Sequence, residues 1–584
     1  MLVRVIILNF LILVVSSCDF SKYKQTESVD FTTAFEKSNG EETATYNEVI
    51  NFYQALDSIY PSISFIEYGE TDSGKKLHLV IYNPAEKFDL DELKKNKQIF
   101  FINNGIHPGE SDGIDATMLF LRDLAQDSIT IPKNTIVATI PIYNIGGALN
   151  RNTSTRTNQN GPKAYGFRGN ARNYDLNRDF IKADTKNARS FYKIFQDLDP
   201  DIFLDNHVSN GADYQYTLTH LLTQHNKLNG ELGNYLHNQF MPALQDSLAK
   251  KNWPITPYVN VFNESPEIGF QQFNDSPRYS TGYSTLFNSL GMMLETHMLK
   301  PYKQRVEGTY EFMQTTLNII DKNSEQILKA RAKTKAYFTN AKEYYLNYKV
   351  DSSKTSQLQF KGYHDTLIKS KVTGLSRLKY NREKPYTKNV TYYNYFKPTD
   401  TIKIPKAYII PQAWWQVTDL LKRNNIEMQS LKKDSIITVE TYHIQDYKTK
   451  KEAYEGHYLH YNTKVNAQQE KIQLHKGDFI VSTHQEGIRY LIETLEPVAT
   501  DSFFNWNFFD TVLQQKEHFS PYVFEDKALE ILEQQPELKQ KFDSIKRVNS
   551  TFSKNWYMQL DWIHKHSIHY EKSHLRYPIF RMLN

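Results

Sequence analysis

Polar residues end three apolar strands in this sequence, and their types suit a single divalent cation. His107 and Glu110 lie three positions apart in the stretch 100–113, FFINNGIHPGESDG, where an apolar strand runs into an Asn-Asn-Gly turn and a helix starts near Asp112. His207 follows the run 201–205, and Glu295 follows 291–294. A neutral imidazole and a carboxylate on one tight turn can face one ion, and His/Glu sets suit zinc. A bare His-x-x-Glu also occurs in solvated loops, and a lone histidine after a strand is more often a cap than a ligand. Place decides the weight of the set. In open α/β sheets functional groups gather outside the carboxyl ends of the strands, and all of these residues fall there.

The elements that must position them alternate in type. A helix is expected over 46–60 and a hairpin over 65–83 about an Asp-Ser-Gly turn. Strands at 98–103, 135–143, 201–205 and 291–294 then interleave with helices at 112–126, 184–198, 228–250 and 284–289, before a long helix from about 305 to 337. This order predicts an α/β catalytic domain over 45–340, with a mixed, mostly parallel sheet flanked by helices. The accessory region 341–584 changes character. It reads as β-rich to about 505, with helices at 413–423 and 487–495, and helical thereafter, including 526–547.

With 584 residues, 40% hydrophobic and 14% aromatic, the chain can bury several cores. Its 70 basic and 66 acidic residues are mixed without long single-sign blocks, which gives no argument for a nucleic-acid partner. The first residues carry a different signal. Arg4 precedes a run over 5–15, apolar except for Asn9, that is too short to span a bilayer and has the length of a secretory core. Val15-Ser16-Ser17-Cys18 after it resembles a lipobox, so 1–17 is expected to be a lipoprotein signal peptide and Cys18 the lipidated residue. Cys18 is the sole cysteine, so an exported chain would form no internal disulfide. Residues 18–44 read as a flexible tether, and the whole as an exported, membrane-anchored lipoprotein.

The loop between the first and second histidines contains Arg168-Gly-Asn170 and Asp175-Leu-Asn177-Arg178. His-Pro-Gly-Glu followed by Arg-x-Asn, Asp-Leu-Asn-Arg, a downstream Asp-x-His and a late strand ending in Glu resembles the zinc metallocarboxypeptidases. That is the family of carboxypeptidase A and of carboxypeptidases E, N and D, and the likeness covers about 45–340. The resemblance implies one zinc held by His107, Glu110 and His207, with Glu295 as general base. It implies that Arg168 stabilises the developing oxyanion, as in the E, N and D branch. Asn177 and Arg178 would hold the terminal carboxylate of a peptide substrate, Asp175 would orient the first zinc histidine, and Tyr279 would contact substrate.

Several points stay open at this level. Tyr283 competes with Tyr279, since neither lies at the family's usual distance from Glu295. Arg278 hints at acidic substrates, although a loop arginine more often meets solvent. Thr296-His297 departs from the animal enzymes. His564, His566, His569 and His574 lack a carboxylate motif and read as an amphipathic tail. The accessory region is expected to pack on the catalytic domain or restrict its cleft. Two other readings share the fold: a zinc amidase, deacylase or cell-wall peptide peptidase, and an inactive lipoprotein that binds peptides or glycans. The second would expect a ligand or the base to be replaced, and all four are present.

Overall fold

The computed structural model describes residues 29–583. The expected signal peptide and Cys18 lie outside them, and among the described residues no helix is long and apolar enough to cross a membrane. The central sheet is built from β1 (Ile63–Glu70), β2 (Lys76–Tyr82), β3 (Gln98–Asn103), β4 (Thr135–Ile140), β5 (Ile202–Ser209), β6 (Leu218–Leu222) and β7 (Ile255–Pro257). β8 (Phe270–Gln271) leaves this sheet, and β9 (Leu290–His297) returns to it. The order is β1-β2-β4-β3-β5-β9-β6-β7. Pairings β4-β3-β5-β9 and β6-β7 are parallel, and the rest are antiparallel. β3, β4 and β5 are buried at every position, which is why they read as unbroken apolar runs rather than alternating ones.

Helices cover both faces. Phe101 and Phe203 pack on Phe191 and Phe195 of the helix Lys186–Leu198. Opposite them, the helices Asp112–Ala125 and Tyr302–Lys322 pack together and are joined by a buried pair, Arg305 Nε to Asp112 Oδ2 at 2.9 Å. β5 and β9 run further than the apolar residues alone suggest. They continue in parallel register through His207 and Glu295, which are direct partners, and β6 extends the ladder by pairing Thr219 with Glu295. The histidine and the glutamate therefore stand side by side on neighbouring strands inside the sheet.

Other departures have local causes. The helix expected over 228–250 begins instead at Gly230, after the positive φ of Asn229, and runs on to Lys250 through a turn of π geometry at Leu236–Phe240 before Pro242. The long helix breaks at Asn323 into Tyr302–Lys322 and Ser324–Asn340, and the C-terminal one breaks before Pro536. Part of the expected tether is packed: Thr33 and Glu36 form a capping box on Ala34–Lys37, Phe31 and Phe35 are buried, and Glu36 meets Arg122 at 2.8 Å.

Beyond Asn340 the chain forms two sheet systems. The hairpin Ser356–Lys369/Ser376–Tyr393 takes β8 as a third strand through Tyr392 and Phe270. A six-stranded sheet contains the hairpin Ser435–Thr449/His460–Leu474 and is completed by Phe580–Met582 beside Ala407–Ile410. The helices Pro521–Gln534, Pro536–Val548, Ser550–Ser553 and Trp556–Lys565 close on a small core of their own around Phe524, Phe542 and Leu560.

Candidate active site

The turn after β3 is closed by the Glu110 N–H donating to the His107 carbonyl at 2.7 Å, which turns both side chains the same way. β5 brings His207 to them. Ligand-capable atoms of His107, Glu110 and His207 lie within 4.8 Å of one another, and no other three such residues do so among the described residues. Each imidazole is gripped from behind: His107 Nε2 meets Asp175 Oδ1 at 2.9 Å, and His207 Nε2 meets Asp205 Oδ2 at 2.9 Å. A nitrogen facing a carboxylate carries the proton, so in His107 Nδ1 offers its lone pair to the centre, while His207 Nδ1 lies 3.1 Å from Glu110 Oε2 on the same side. His107 Nδ1 is buried and has no hydrogen-bond partner. Its 3.2 Å approach to Glu110 Oε1 is an ion-pair distance without hydrogen-bond geometry. An orphaned imidazole lone pair, a second imidazole and a carboxylate thus converge on one point that opens to a cavity, and this donor set fits zinc.

Glu110 is held as firmly as the histidines. Its Oε2 accepts the Val208 N–H at 3.0 Å, and its Oε1 accepts from Arg156 Nη1 at 2.8 Å. Burial opposes charge on this carboxyl, but His107 and Arg156 outweigh it and keep it well below the usual range. Arg156 comes from a polar loop with no motif to mark it. Gly109 makes room for it, since a Cβ there would lie 2.6 Å from Arg156 Nε. Asp205 is the other residue the motifs left without a role. Its position in Asp-x-His, two residues before His207, was the available signal.

A cavity of about 280 Å³ contains the metal group and is lined also by Arg168, Asn177, Arg178, Tyr279 and Glu295. Glu295 stands beside His207 in the sheet, and burial pushes its carboxyl up to about 8, with Glu110 and Asp205 adding to the effect while His207 and Arg168 oppose it. Asp175 organises the loop opposite. Its Oδ2 accepts from Arg168 Nε and Nη2 at 3.0 and 2.8 Å, and its Oδ1 caps the Asn177 N–H at 2.9 Å. Burial raises its pKa, yet His107 and Arg168 hold the carboxylate far below its ordinary value. Arg178 lies over the Tyr279 ring at 4.6 Å, and Asn177 Oδ1 accepts the Ser280 N–H at 3.1 Å.

Three open points resolve. Tyr283 is fully buried, stacked on Tyr192 and bonded to Asn424, so it packs and Tyr279 alone of the two reaches the cavity. Arg278 does not wait for an acidic side chain. Asp501, from the C-terminal half, accepts its backbone N–H at 2.9 Å and its Nε at 2.7 Å, with Nη2 also at 2.7 Å. Separating so buried a pair costs about 3–5 kcal/mol, so the guanidinium stays with Asp501. A further arginine of the 168–178 loop, Arg172, bonds the Asp184 carbonyl and lies over Tyr174, outside the cavity. In the tail, His574 bonds Tyr570 and the Leu513 carbonyl, and His564 packs on Phe519 and Phe524.

Comparison with known proteins places these residues in context. The zinc carboxypeptidase family model, Peptidase_M14, matches residues 49–228. Carboxypeptidase 2 of Trichophyton rubrum is 20% identical over 485 residues, covering 80% of this chain and 84% of the relative. Carboxypeptidase 2 of Trichophyton tonsurans is 20% identical over 460 residues, covering 74% and 78%. Among solved structures, a metallo-carboxypeptidase from Burkholderia cenocepacia aligns at 16% identity and TM-score 0.37 over 48% of this chain and 70% of the other. Carboxypeptidase A from Helicoverpa armigera aligns at 13% and TM-score 0.36 over 49% and 75%. With the matched family model ending at Leu228 and the metal group seated in the cavity, the chain carries a Peptidase_M14 zinc carboxypeptidase domain and is a hydrolase of the metallocarboxypeptidase class, with zinc as its metal.

Proposed function

We propose that the protein removes the C-terminal residue of peptides that end in a free carboxylate. The observation that carries this reading is the composition of one cavity, in which a zinc-type ligand set, the Glu295 carboxyl and an arginine–asparagine pair face each other. His107, Glu110 and His207 would hold the zinc, which would supply Lewis acidity and make water easier to deprotonate. Glu295, beside His207, takes that proton as general base and hands one to the leaving amine. Arg178, backed by Tyr279, pairs with the substrate's terminal carboxylate through two parallel hydrogen bonds, and Asn177 adds a third donor. Arg168, anchored on Asp175 with 45% of its side chain exposed, supports the oxyanion that develops at the scissile carbonyl.

A peptide with a free C-terminus and its amidated twin test the reading against an amidase or deacylase on the same fold. The free peptide should be cleaved and the amide spared; equal cleavage of both would overturn it. Loss of activity on chelation and its return with zinc should accompany the result. We propose also that the chain is exported and anchored through Cys18, on the strength of Val15-Ser16-Ser17-Cys18. Mass analysis of the mature N-terminus tests this, and a protein that retains residues 1–17 would contradict it.

A further inference from the structure

We propose that the C-terminal half sets the side-chain preference of the cleft, and that this preference is for peptides ending in a large apolar residue; the inference rests on the carboxypeptidase reading above. Apart from the groups already given roles, the cavity wall consists of Val208, Leu221, Tyr258, Phe262, Phe273 and Met293, together with the Asn210 amide at one edge. Leu221 and Met293 are cross-strand partners on β6 and β9, two residues along from the Thr219–Glu295 pair and so on the same face of the sheet. They make an apolar floor beside the base. Phe273 meets Tyr279 edge to face at 5.1 Å and continues the wall towards Arg178. Glu110 and Glu295 are the cavity's carboxylates, and Arg168 and Arg178 its guanidinium groups.

One further cation stands next to Tyr279 in the chain, and the C-terminal half removes it from the cleft. Arg278 is bonded to Asp501 through its backbone and guanidinium, and its guanidinium lies over the rings of Trp506 and Tyr454 at 4.9 and 5.5 Å. Asp501, Trp506 and Tyr454 all lie beyond Asn340. Arg278 also fixes the segment that follows it, where Tyr279 backs Arg178 and Ser280 N–H holds Asn177. The same region reaches the clamp from its other side: Glu455 Oε2 accepts the Asp175 N–H at 2.9 Å, and Gly456, at φ +82°, lies so close to Tyr174 that a Cβ would be 2.7 Å from its hydroxyl. Asp501 and Glu455 are thus positioning residues. Asp501 neutralises a cation that would favour an acidic substrate side chain and leaves an apolar recess, and Glu455 fixes the turn at Asp175.

The test uses the full-length, zinc-loaded protein and peptides that differ only in a C-terminal Phe, Leu, Glu or Lys. The Phe and Leu peptides should exceed the Glu and Lys peptides in kcat/KM by about tenfold or more, the range a hydrophobic recess supplies. Equal or better processing of the Glu or Lys peptide would overturn the preference. Asp501→Asn keeps the shape but releases the charge on Arg278, so the Phe-to-Glu ratio should fall roughly tenfold while zinc content holds; an unchanged ratio would overturn the role of Asp501. Because a buried variant can misfold, Met293→Lys provides a second arm. It places a cation on the floor itself and should move the ratio the same way, and no movement would overturn the assignment of that floor. Calorimetric binding of the same peptides to Glu295→Gln gives a readout without hydrolysis. Binding or cleavage of all four without discrimination defeats this inference and leaves the carboxypeptidase reading standing, whereas neither binding nor cleavage of any defeats both.

Discussion

His107 and Asp175 are joined by a 2.9 Å hydrogen bond, Nε2 to Oδ1, across 68 residues of chain. The same carboxylate holds Arg168 and caps the Asn177 N–H, while its backbone N–H is taken by Glu455. One side chain therefore couples the metal group to the loop opposite it. A shift of the 175–178 turn would therefore move His107 together with Asn177 and Arg178, the pair proposed to anchor the substrate.

Asp175→Asn tests that coupling. The amide keeps the shape and can still accept a bond from the His107 N–H, but it loses the charge that secures the ring's orientation and the ion pair to Arg168. Zinc affinity should fall about 10–100-fold, measured by competition with a chelator of known strength. Wild-type affinity in the variant would show that Asp175 does not support His107.

Glu295→Gln separates the base from the ligands. Its amide cannot accept the proton, yet no ligand atom is lost, so turnover should drop by about 10²–10⁴-fold at unchanged zinc content. His207→Ala should do the reverse in order, losing zinc first and activity with it. Near-wild-type turnover of Glu295→Gln would sink the assignment of the base.

How much of this was legible from sequence follows from how local each feature is. His107 and Glu110 share one turn, and His207 and Glu295 are marked by the apolar runs of β5 and β9. Arg168, Asn177 and Arg178 carry a contiguous motif. Arg156 reaches Glu110 over 46 residues and Asp501 reaches Arg278 over 223, so their roles exist only once the fold has chosen their partners. The hairpin Ser356–Lys369/Ser376–Tyr393 escaped for a different reason. Its second strand, Ser376–Tyr393, carries runs of consecutive exposed residues, so that strand lacks the alternation that marks a half-buried one. The helix expected over 228–250 begins at Gly230, a difference that escapes apolar spacing because it does not register the positive φ of Asn229.

Arg178→Lys probes the carboxylate clamp. A lysine retains the charge but not the planar fork, and it loses the stacking on Tyr279 at 4.6 Å. KM for peptides with a free C-terminus should rise roughly tenfold to a hundredfold, the equivalent of about 1.5–3 kcal/mol for a charged hydrogen bond. Residual rates on amidated peptides should not move. If discrimination between the free and amidated forms is unchanged, Arg178 is not the anchor.

Asp115 gives a test of stability away from the chemistry. It is fully buried on the helix Asp112–Ala125, which begins directly after the metal-binding turn, and it accepts from the Ala44 N–H at 3.2 Å and from the Tyr302 hydroxyl. Burial outweighs these bonds and pushes the carboxyl up to about 6. An unfolded aspartate titrates near 3.9. Between about pH 4 and pH 6 the native state therefore binds more protons than the unfolded state, and stability must fall as pH rises through that window. Two pKa units correspond to roughly 3 kcal/mol, all of it expressed above the native pKa. Asp115→Asn has no proton to release and keeps an acceptor oxygen, so its stability relative to wild type should improve from about pH 4 to about pH 7 by up to that amount. Denaturant titrations of both proteins at the two pH values measure the difference directly. A gap that stays constant across the window would mean that Asp115 is ionised at little cost, and that Tyr302 and the Ala44 amide compensate its burial in full.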